Sequence, residues 1–587
     1  MIEEDTISKV LYVDLSRRRF WVKDCLDIFE KNLGGAGAAT QLLHEECPPG
    51  ADPLGPENPV IFAVGQFNCL FPIASKTVAM FKSPLTGNLG ESYCGGRSAI
   101  ALRMAGYGAL VLKGKSESPI YLAIHGDEIH FRNASVLWGM SNSYTVGRVI
   151  RDREPAAGVR AIMRIGSAGE RLVSYASLIS ETYRHFGRLG LGAVLGSKKV
   201  KAIVISGRRS FKFKNPKLYR ETYNEIFKAL TDSPLMKKYH ELGTSMNINT
   251  LNELKALPTK NLLETNFNLC EKISGESFAK KYLGRRTACA HCPVSCIHIA
   301  TIREPYEKEP FFYKIKMVSY DYELIYALGS MLKVGSPENL IRLIDETEIH
   351  GLDIMSTGVA LAWATEMQEK GLISERETAT IKLGWGDHTN YIKAIRLIVE
   401  QPNDFFKALA HGVDYASSKY GGTEFALAFG GNEMPGYHTG PAAHVGYLVG
   451  ARHSHLDAAC YSIDQKMIAD GKKPNPEEIV DALIKEEVWR QILSSLITCY
   501  FARGIYTPEV VVKAFKVLDY QLSPEDLTKI GSKILKSKNE FKTREGFRFD
   551  NLRIPRRIFE TPTPMGMLTE DIIQESVNLY AKKLECI

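Results

Sequence analysis

The sequence predicts an α+β fold in which a β-rich N-terminal domain is followed by two mainly α-helical domains. Residues 1–208 are rich in Gly and in short apolar runs, whereas longer amphipathic stretches begin at about residue 209. A Gly-rich passage without periodicity, "EFALAFGGNEMPGYHTGPAAHVGYLVG", interrupts the helical part. We therefore expect domains at 1–208, 209–420 and 421–587.

The apolar runs of the N-terminal part have the length of strands and are edged by Gly, Pro or Asn, as in "PVIFAVGQF", "KTVAMF", "GALVLKG", "PIYLAIH" and "VKAIVISG". Further along, apolar residues recur at steps of three and four, which predicts helices in "NPKLYRETYNEIFKALTD", "PENLIRLIDETEIHG", "GVALAWATEMQEKG", "NPEEIVDALIKEEVWRQILSSLITCYFA", "PEVVVKAFKVL" and "DIIQESVNLYAKKL". No internal repeat is recognisable in the sequence.

Composition limits the classes of protein. The chain has 587 residues, a formal charge of +7 and eleven cysteines. The N-terminal "MIEEDTISKV" lacks the basic and apolar regions of a signal peptide, and no uncharged apolar run reaches the roughly 18 residues of a membrane span, so we expect a cytoplasmic chain. The charged residues are not clustered in blocks along the sequence, which argues against a nucleic-acid-binding protein. A basic face that binds an acidic redox partner remains compatible with this distribution. Scarce Gln with abundant Glu, Lys and Arg hints at a thermophilic source.

The strongest chemical signal is "TACAHCPVSCIH", in which Cys289, Cys292 and Cys296 are spaced x₂ and then x₃. Thiolates bind zinc or iron–sulfur clusters, and His291 or His298 would complete a Cys₃His zinc site. A [4Fe–4S] cluster held only by the protein needs a fourth thiolate. Spacing alone does not choose among the candidates, which are Cys94, Cys270, Cys460, Cys499 and Cys586.

Glycine-rich stretches in the N-terminal region point to a second site. Neither "NLGGAGAATQLL" nor "GLGAVLGSKK" completes a dinucleotide or P-loop motif, and each alone is compatible with tight turns. Four such stretches lie in one region, and basic residues stand beside them: Lys82, Arg97, Arg103, Arg188 and Lys198. Together they predict a cradle for a large anionic cofactor.

These segments resemble one known family. "ACAHCPVSC", "KSPLTG", "GRLGLGAVLGSKKVKAI", "YDYELIYALGS" and "GLDIMSTG" follow one another as in the tungsten-containing aldehyde ferredoxin oxidoreductases, and the similarity runs from about residue 8 to about residue 570. The resemblance implies a tungsten bis-pterin cofactor lying on the β-rich domain, one [4Fe–4S] cluster, and Mg²⁺ bridging the pterin phosphates. It also implies ferredoxin or a small iron–sulfur subunit as electron acceptor, and an oligomer is possible.

The resemblance assigns Cys499, in "SSLITCYF", as the fourth cluster ligand beside Cys289, Cys292 and Cys296. This element departs from the family pattern, since Ser494 replaces an Asp, and the related "EIHGLD" has Glu348 for Asp. The implied cofactor-binding residues are Lys76, Tyr93, Gly95, Gly96, Arg188, Gly190, Gly192, Glu348, Gly351, Leu352, Asp353, Ser494 and Thr498. Lys76 replaces a family arginine and Tyr93 a family asparagine near the magnesium, so the contacts at both positions are expected to change.

The resemblance also implies the catalytic residues. Glu323 in "SYDYELIYALG" corresponds to the active-site glutamate and is the expected general base, with Asp321 as the solvated neighbour. His455 and then His453 are the candidates for the catalytic histidine, and Tyr437 lines the pocket. The expected reaction is oxidation of an aldehyde to a carboxylic acid. The alternatives are a same-fold tungsten reductase of an aromatic thioester and a non-enzymatic zinc-binding protein.

Overall fold

The computed structural model describes residue 2 and residues 5–155, 158–306 and 309–587. Its N-terminal part contains two sheets of six strands each. The first has the order β2-β1-β6-β3-β4-β5, with β1 parallel to β6 and the other neighbours antiparallel. Its strands are β1 (Lys9–Asp14), β2 (Arg19–Asp24), β3 (Val60–Ala63), β4 (Thr77–Lys82), β5 (Leu89–Cys94) and β6 (Ala109–Lys113).

The second sheet repeats the topology of the first. From its outer edge the order is β8-β7-β12-β9-β10-β11, and β7 and β12 form its parallel pair. Its strands are β7 (Ile120–His125), β8 (Glu128–Asn133), β9 (Val159–Ile165), β10 (Leu178–Ser180), β11 (Arg184–Phe186) and β12 (Val200–Gly207). The N-terminal domain therefore contains a structural repeat that the sequence does not display, because strand order depends on apolar patterning rather than on residue identity.

Short helices connect these strands: α1 (Leu26–Asn32), α2 (Gly35–Glu46), α3 (Ser98–Ala105), α4 (Ser143–Arg153), α5 (Ser167–Glu170) and α6 (Leu191–Ser197). The five strands predicted from the sequence are present as β3, β4, β6, β7 and β12. Strands β3 and β4 are buried along their whole length, which explains their continuous apolar runs. The prediction of a β-rich N-terminal domain is confirmed.

The rest of the described chain is mostly helical. The α-helices are α7 (Pro216–Asp232), α8 (Pro234–Glu241), α9 (Asn247–Glu253), α10 (Gly275–Lys281), α11 (Tyr322–Leu328), α12 (Pro337–His350), α13 (Ile354–Glu369), α14 (His388–Glu400), α15 (Asp404–Ala410), α16 (Val413–Tyr420), α17 (Pro441–Val449), α18 (His455–Ala458), α19 (Cys460–Ala469), α20 (Pro476–Ser495), α21 (Pro508–Val517), α22 (Pro524–Arg544), α23 (Arg557–Glu560) and α24 (Glu570–Glu585). Several begin with Pro directly after a capping side chain, as Asn215 caps α7. The six predicted helices are present as α7, α12, α13, α20, α21 and α24.

Two small sheets in this helical part were not predicted. One has the order β13-β14-β15 and consists of β13 (Leu283–Thr287), β14 (Ile297–Tyr306) and β15 (Glu309–Tyr320). The other pairs β16 (Ala428–Phe429) with β17 (Asn432–Glu433). Strands β13 and β14 enclose the cysteine triplet, so the triplet lies in a loop between paired strands.

One continuous apolar core joins the helical parts. It includes buried residues from Ala168 to Leu584, and therefore helices on both sides of position 420. The expected division at 420/421 stays a prediction. Among the described residues, no helix has both the length and the apolar character required to cross a membrane.

Candidate active site and cofactor cradle

Loop 348–353 docks on the second sheet through its main chain. The amide of Ser177 donates to the carbonyl of Gly351 at 2.8 Å, and the amide of Asp353 donates to the carbonyl of Tyr175 at 3.0 Å. Gly351 ends α12 with a φ of 72°, a conformation that favours glycine. The sequence "GLD" thus turns the chain back onto the sheet.

Loop 494–499 docks on the first sheet in the same way. The amide of Lys76 donates to the carbonyl of Ile497 at 3.3 Å, and the amide of Cys499 donates to the carbonyl of Ile73 at 3.2 Å. Ile497 also has a positive φ, 62°. Asp353 and Cys499 therefore occupy equivalent places. We call the two loops, together with segments 73–76 and 175–177, the cradle.

Two equivalent glycines let the main chains approach closely at the cradle. A Cβ atom on Gly65 would lie 2.1 Å from the carbonyl oxygen of Ser495, and one on Gly166 would lie 2.1 Å from that of His350. Both positions exclude any larger residue unless the backbone moves. Each sheet thus holds its own loop through a glycine after its central strand.

The predicted residues of loop 348–353 are buried. The hydroxyls of Tyr144 and Ser319 donate to the two oxygens of Glu348, at 2.8 Å and 3.3 Å. Burial raises the pKa of Glu348 to about 8. Leu352 forms a β-bridge with Ala176. This loop is therefore rigid and carries a carboxyl group that is predominantly protonated at neutral pH.

The hydroxyls of the second loop donate to main-chain carbonyls at the end of α20. Ser494 donates to the carbonyl of Arg490, one turn earlier in α20. Thr498 donates to the carbonyl of Leu493 at 3.0 Å. The hydroxyls of both predicted cofactor residues thus stabilise the end of the helix.

Arg188 joins the cradle to the chain beyond it. Its Nε donates to Asp353 at 3.2 Å, and one Nη donates to the carbonyl of Glu433 at 2.7 Å. Asp353 also caps α13, accepting from the amide of Met355 at 3.2 Å. The other Nη of Arg188 is buried without a hydrogen-bond partner.

Gly190 and Gly192 bring the start of α6 against segment 175–177. A Cβ atom on Gly190 would lie 2.1 Å from the carbonyl oxygen of Ser174, and the amide of Gly192 donates to the carbonyl of Ala176 at 2.9 Å. The glycines of this motif therefore allow the backbone at the start of α6 to pack closely against segment 175–177.

Buried polar atoms without partners are concentrated along residues 175–188. Such atoms are rare in folded proteins because desolvation costs about 1–3 kcal/mol each. Six of them, within β11 and on both sides of it, are Tyr175 Oη, Ser177 Oγ, Ser180 Oγ, Arg184 Nε, His185 Nε2 and the second Nη of Arg188. This donor set fits a polar, anionic group bound in the cradle.

The four cysteines predicted to hold a cluster form one group. The amide of Ile73 donates to the carbonyl of His291 at 2.9 Å, and the amide of Cys499 donates to the carbonyl of Ile73 at 3.2 Å, so Cys499 lies beside the loop that carries the triplet. Cys292, Cys296 and Cys499 pack against the same apolar cluster. Burial raises the pKa of Cys292 and Cys296 to about 12. All four are only partly buried. Among the described residues, no three His, Cys, Asp or Glu side chains converge as one ion requires.

The histidines of the triplet do not complete a zinc site. The ring nitrogens of His298 face the carbonyl oxygens of Cys296 and His240, at 3.1 Å and 2.9 Å. His291 faces the hydroxyl of Tyr223 at 3.4 Å. The Cys₃His alternative finds no support in this geometry.

Gly95 lies where Cys289 of the triplet approaches Lys76 of the cradle. A Cβ atom on Gly95 would lie 2.5 Å from Sγ of Cys289, 3.4 Å from Nζ of Lys76 and 3.6 Å from Nε of Arg184. The next residue, Gly96, has a φ of 103°. Sequence reasoning missed Arg184, although it stands in the same passage, "RHFGRLGLG", as Arg188.

Lys76 and Arg184 carry positive charge into this contact. Burial lowers the pKa of Lys76, but the thiolates of Cys499 and Cys289 outweigh burial and the net shift is upward. For Arg184, burial is likewise outweighed by Cys289 and its neighbours, so that its pKa is raised. Lys76 of the cradle and Arg184 thus bring positive charge to the side of Cys289 that faces Gly95.

Tyr93 is engaged with other side chains. Its hydroxyl donates to Glu91, which also accepts from Nζ of Lys538 at 2.7 Å. The guanidinium of Arg452 lies 5.1 Å from the centre of the Tyr93 ring. Burial, and then the charge of Glu91, raises the pKa of Tyr93 well above its usual value. The phenol is therefore a donor to Glu91 and is not ready to bind a metal ion.

Glu323 and His455 form a buried pair. Nε2 of His455 lies 3.2 Å from Oε1 of Glu323, without hydrogen-bond alignment, and Nδ1 of His455 is buried without a partner. The amide of Gly436 approaches Oε2 of Glu323 at 3.5 Å. Asp321 caps α11 by accepting from the amide of Leu324 at 3.3 Å.

Burial controls the charge of this pair. It raises the pKa of Glu323 to about 8, and Asp321 adds to the shift. Burial, with Arg188 and two further arginines, lowers the pKa of His455 well below its usual value. Burial therefore favours the uncharged form of each group. Such perturbed groups in contact are typical of catalytic sites.

Tyr437 forms the aromatic wall beside the pair. Its ring lies 5.1 Å from that of His455 and stacks on Tyr461 at 4.1 Å. The hydroxyl of Tyr447 donates to the carbonyl of Tyr437 at 3.0 Å and fixes the segment. The Tyr437 hydroxyl also lies within hydrogen-bond reach of Glu323, so Tyr437 contacts both members of the pair.

His453 lies in different surroundings. Its Nδ1 donates to the carbonyl of Tyr447 at 2.9 Å, and its ring packs against Gly430 and lies 5.4 Å from Phe547. It makes no contact with Glu323 in the described structure. The structure thus brings together Glu323, His455 and Tyr437 and separates His453 from them.

Comparison with known proteins identifies the class. The model of the aldehyde ferredoxin oxidoreductase N-terminal domain matches residues 10–207, and the model of its domains 2 and 3 matches residues 221–583. Together they cover nearly the whole chain, which is thus an oxidoreductase of the tungsten-containing class. The chain belongs to the aldehyde ferredoxin oxidoreductase family.

Individual relatives differ in what they act on. The chain is 31% identical to the tungsten-containing aldehyde ferredoxin oxidoreductase of Thermococcus kodakarensis over 92% of this chain and 89% of that protein. It is also 31% identical to the WOR-like subunit of an aliphatic sulfonate oxidoreductase of Pyrococcus furiosus, over 70% and 67%. Its fold is similar to the active site complex BamBC of benzoyl coenzyme A reductase, solved with 1,5 dienoyl-CoA, with a TM-score of 0.81, 20% identity and coverage of 100% and 95%.

Proposed function

We propose that this protein oxidises aldehydes to carboxylic acids at a tungsten bis-pterin cofactor. The electrons leave one at a time through a [4Fe–4S] cluster to ferredoxin or to a small iron–sulfur subunit. The observation that carries the proposal is the buried contact of Glu323 with His455 beside Tyr437, in a chain of this family.

The cofactor, when bound, supplies a centre that accepts two electrons from the substrate. The cradle would hold it, with Arg184 and Arg188 toward its anionic groups and Lys76 toward the cluster. Cys289, Cys292, Cys296 and Cys499 would hold the cluster. The phenol of Tyr93 donates its hydrogen bond to Glu91. Magnesium, if present, would therefore be held by phosphates, water or main chain.

Glu323 is the proposed proton acceptor, at Oε1. The ionised carboxylate accepts the proton, and the neutral imidazole of His455, with Nε2 3.2 Å away, is close enough to accept a hydrogen bond from the carboxyl once it is protonated. Nδ1 of His455 has no hydrogen-bond partner among the described residues. When Nε2 accepts from the protonated Glu323, the imidazole hydrogen is on Nδ1, which then donates to the carbonyl oxygen of a substrate. Burial of the pair excludes water and strengthens both interactions.

The experiment is metal analysis followed by assays on the purified, tungsten-loaded chain. Tungsten together with roughly four irons per chain supports the cofactor set. Aldehyde-dependent reduction of methyl viologen then tests the reaction. An iron-free chain containing zinc would contradict the proposal, and so would a tungsten-loaded chain inactive with aldehydes of several sizes.

The second candidate is a reductase of an aromatic thioester. It is favoured by the full-length similarity in fold to the benzoyl coenzyme A reductase complex. The same preparation distinguishes the two: activity with benzoyl coenzyme A and a strong reductant, without activity toward aldehydes, would favour this candidate.

A further inference from the structure

The cysteine triplet borders a shallow groove on the protein surface. The groove has a volume of about 180 Å³ and is lined by Leu230, Met236, Lys237, His240, Pro293 and Val294, among others. Pro293 and Val294 stand between the second and third cysteines of the triplet. The imidazole of His240 donates from Nδ1 to the carbonyl of Val294 at 2.8 Å and ties α8 to this loop.

The cysteines lie near the surface at this groove. Residues 288–293 are all at least partly exposed, and so is Cys499. Large apolar side chains also face solvent nearby: Phe227 in α7 is 39% exposed and Leu235 in α8 is 41% exposed. Apolar side chains beside a redox group are expected where another protein docks.

The charge beside the groove is mostly positive. Segments 237–241 and 280–286 contain six basic residues and one acidic residue, Glu241. All six bases are exposed and make no ion pair within the described part of the chain: Lys237, Lys238, Lys280, Lys281, Arg285 and Arg286. Arg286 reaches the carbonyl of Glu241 at 3.5 Å, so the two segments form one surface. Elsewhere many surface bases are neutralised locally, as Lys513 is by Glu225.

We propose that an acidic one-electron carrier of the ferredoxin type docks on this face, defined by segments 237–241, 280–286 and 288–294. The inference rests on the proposed function and specifies where its electrons leave. Oxidation of one aldehyde with one water yields a carboxylic acid, two protons and two electrons. Two carriers, in successive encounters, each accept one electron into their own cluster, and no bond forms between the proteins. Unpaired bases steer such a partner and fix its orientation.

The experiment compares two double variants with a matched control. Lys237→Glu with Lys238→Glu, and Arg285→Glu with Arg286→Glu, reverse two charges each on the docking face. The control, Arg19→Glu with Lys23→Glu, reverses two exposed charges on β2. Strand β2 lies five strand spacings, about 24 Å, from β5, which leads to Gly95.

The probe is an acidic two-cluster ferredoxin at low ionic strength. We expect each docking-face variant to raise the KM for ferredoxin by about tenfold or more, with the effect shrinking as salt is added. Turnover with methyl viologen should be unchanged, and the control should resemble the wild type. Unchanged KM values in both variants, or an equal effect in the control, would overturn the proposal.

Binding measured separately distinguishes this inference from the proposed function. Calorimetric titration of ferredoxin into the iron-loaded chain requires no aldehyde. Wild-type binding that both docking-face variants lose and the control keeps supports the docking face even if viologen assays reveal no aldehyde oxidation. Equal binding by all four proteins contradicts it even if aldehydes are oxidised.

Discussion

Nε2 of His455 lies 3.2 Å from Oε1 of Glu323, and both side chains are withdrawn from solvent. A carboxyl and an imidazole this close influence each other's protonation, so removal of either partner changes the proton affinity of the other. His453, two residues away, has no such contact and instead bonds the carbonyl of Tyr447. We therefore expect substitutions of the two histidines to differ in their effect on turnover.

Glu323→Gln removes the proton acceptor but keeps the shape and polarity of the side chain. We expect aldehyde turnover per tungsten to fall by about 10²-fold or more, the scale of a general base. His455→Gln should have a similar effect and His453→Gln a smaller one. Metal content is measured on each variant. Near-normal turnover of Glu323→Gln would refute the base assignment, and a larger loss at His453 would reverse the order of the histidines.

Gly95→Ala tests the contact between the cysteines and the cradle. The new methyl group would lie 2.5 Å from Sγ of Cys289, too close without movement of the thiol. We expect fewer than about four irons per chain, because the thiol would leave the geometry of a [4Fe–4S] cluster. Gly384→Ala is the control, since that position has open space and no positive φ. A full iron complement in Gly95→Ala would show that the thiol can shift without cost.

Cys499→Ala tests the fourth cluster ligand. We expect iron to fall below about four per chain and the cluster absorbance to weaken, because one iron loses its thiolate. Cys270→Ala is the control: its Sγ lies 3.1 Å from Oδ1 of Asn249, outside the group. Cys460→Ala is a second control. If Cys499→Ala kept the full cluster while a control lost it, the ligand assignment would be wrong.

Glu348→Gln tests the buried carboxyl of the first loop. Burial raises the pKa of Glu348 to about 8 in the folded chain, so the folded state holds a proton that the unfolded state loses near pH 4.5. The free energy of unfolding should therefore decline between these values, by at most about 1.4 kcal/mol per pH unit from this group. Glu348→Gln lacks this decline, so its Tm relative to wild type should rise from pH 5 to pH 8.

The control for that experiment is Glu346→Gln on the same helix. Burial opposes ionisation of Glu346, but hydrogen bonds from His350 and Arg396 outweigh it and lower the pKa to about 2. Its contribution to stability is present above pH 4.5 and is lost as the pH falls toward 2. Glu346→Gln should therefore be less stable than wild type at neutral pH. Parallel Tm curves for wild type and Glu348→Gln would contradict the assignment.

The fold was predictable where one pattern dominated. The five predicted strands, β3, β4, β6, β7 and β12, are continuous apolar runs, and the six predicted helices have clear periodicity. The edge strands β2 and β8 were not predicted, because β2 is exposed along its length and β8 is largely so. Strands β14 and β15 were missed because their outer halves face solvent, and Phe311 is 91% exposed. Their apolar alternation is therefore incomplete.

The site was predictable from sequence only through family resemblance. Periodicity gives no reason to join Cys499 to a triplet about 200 residues earlier, or Glu323 to His455. Those contacts depend on tertiary packing of loops on two sheets. Arg184 was missed because its role depends on where β11 ends relative to the cysteines. The fate of the Tyr93 hydroxyl likewise depends on Glu91, two residues away on the same face of β5.

The paired sheets also bear on ancestry. Two six-stranded sheets with the same strand order and the same parallel pair, each holding a loop through one glycine, are what tandem fusion of two gene copies produces. The two loops differ in sequence at all six positions, EIHGLD against SSLITC, and end in Asp353 and Cys499 respectively. Their sequences have therefore diverged while the backbone that holds them has been kept. The two halves of the domain share one architecture, but only the half that ends its loop in Cys499 borders the cysteine group.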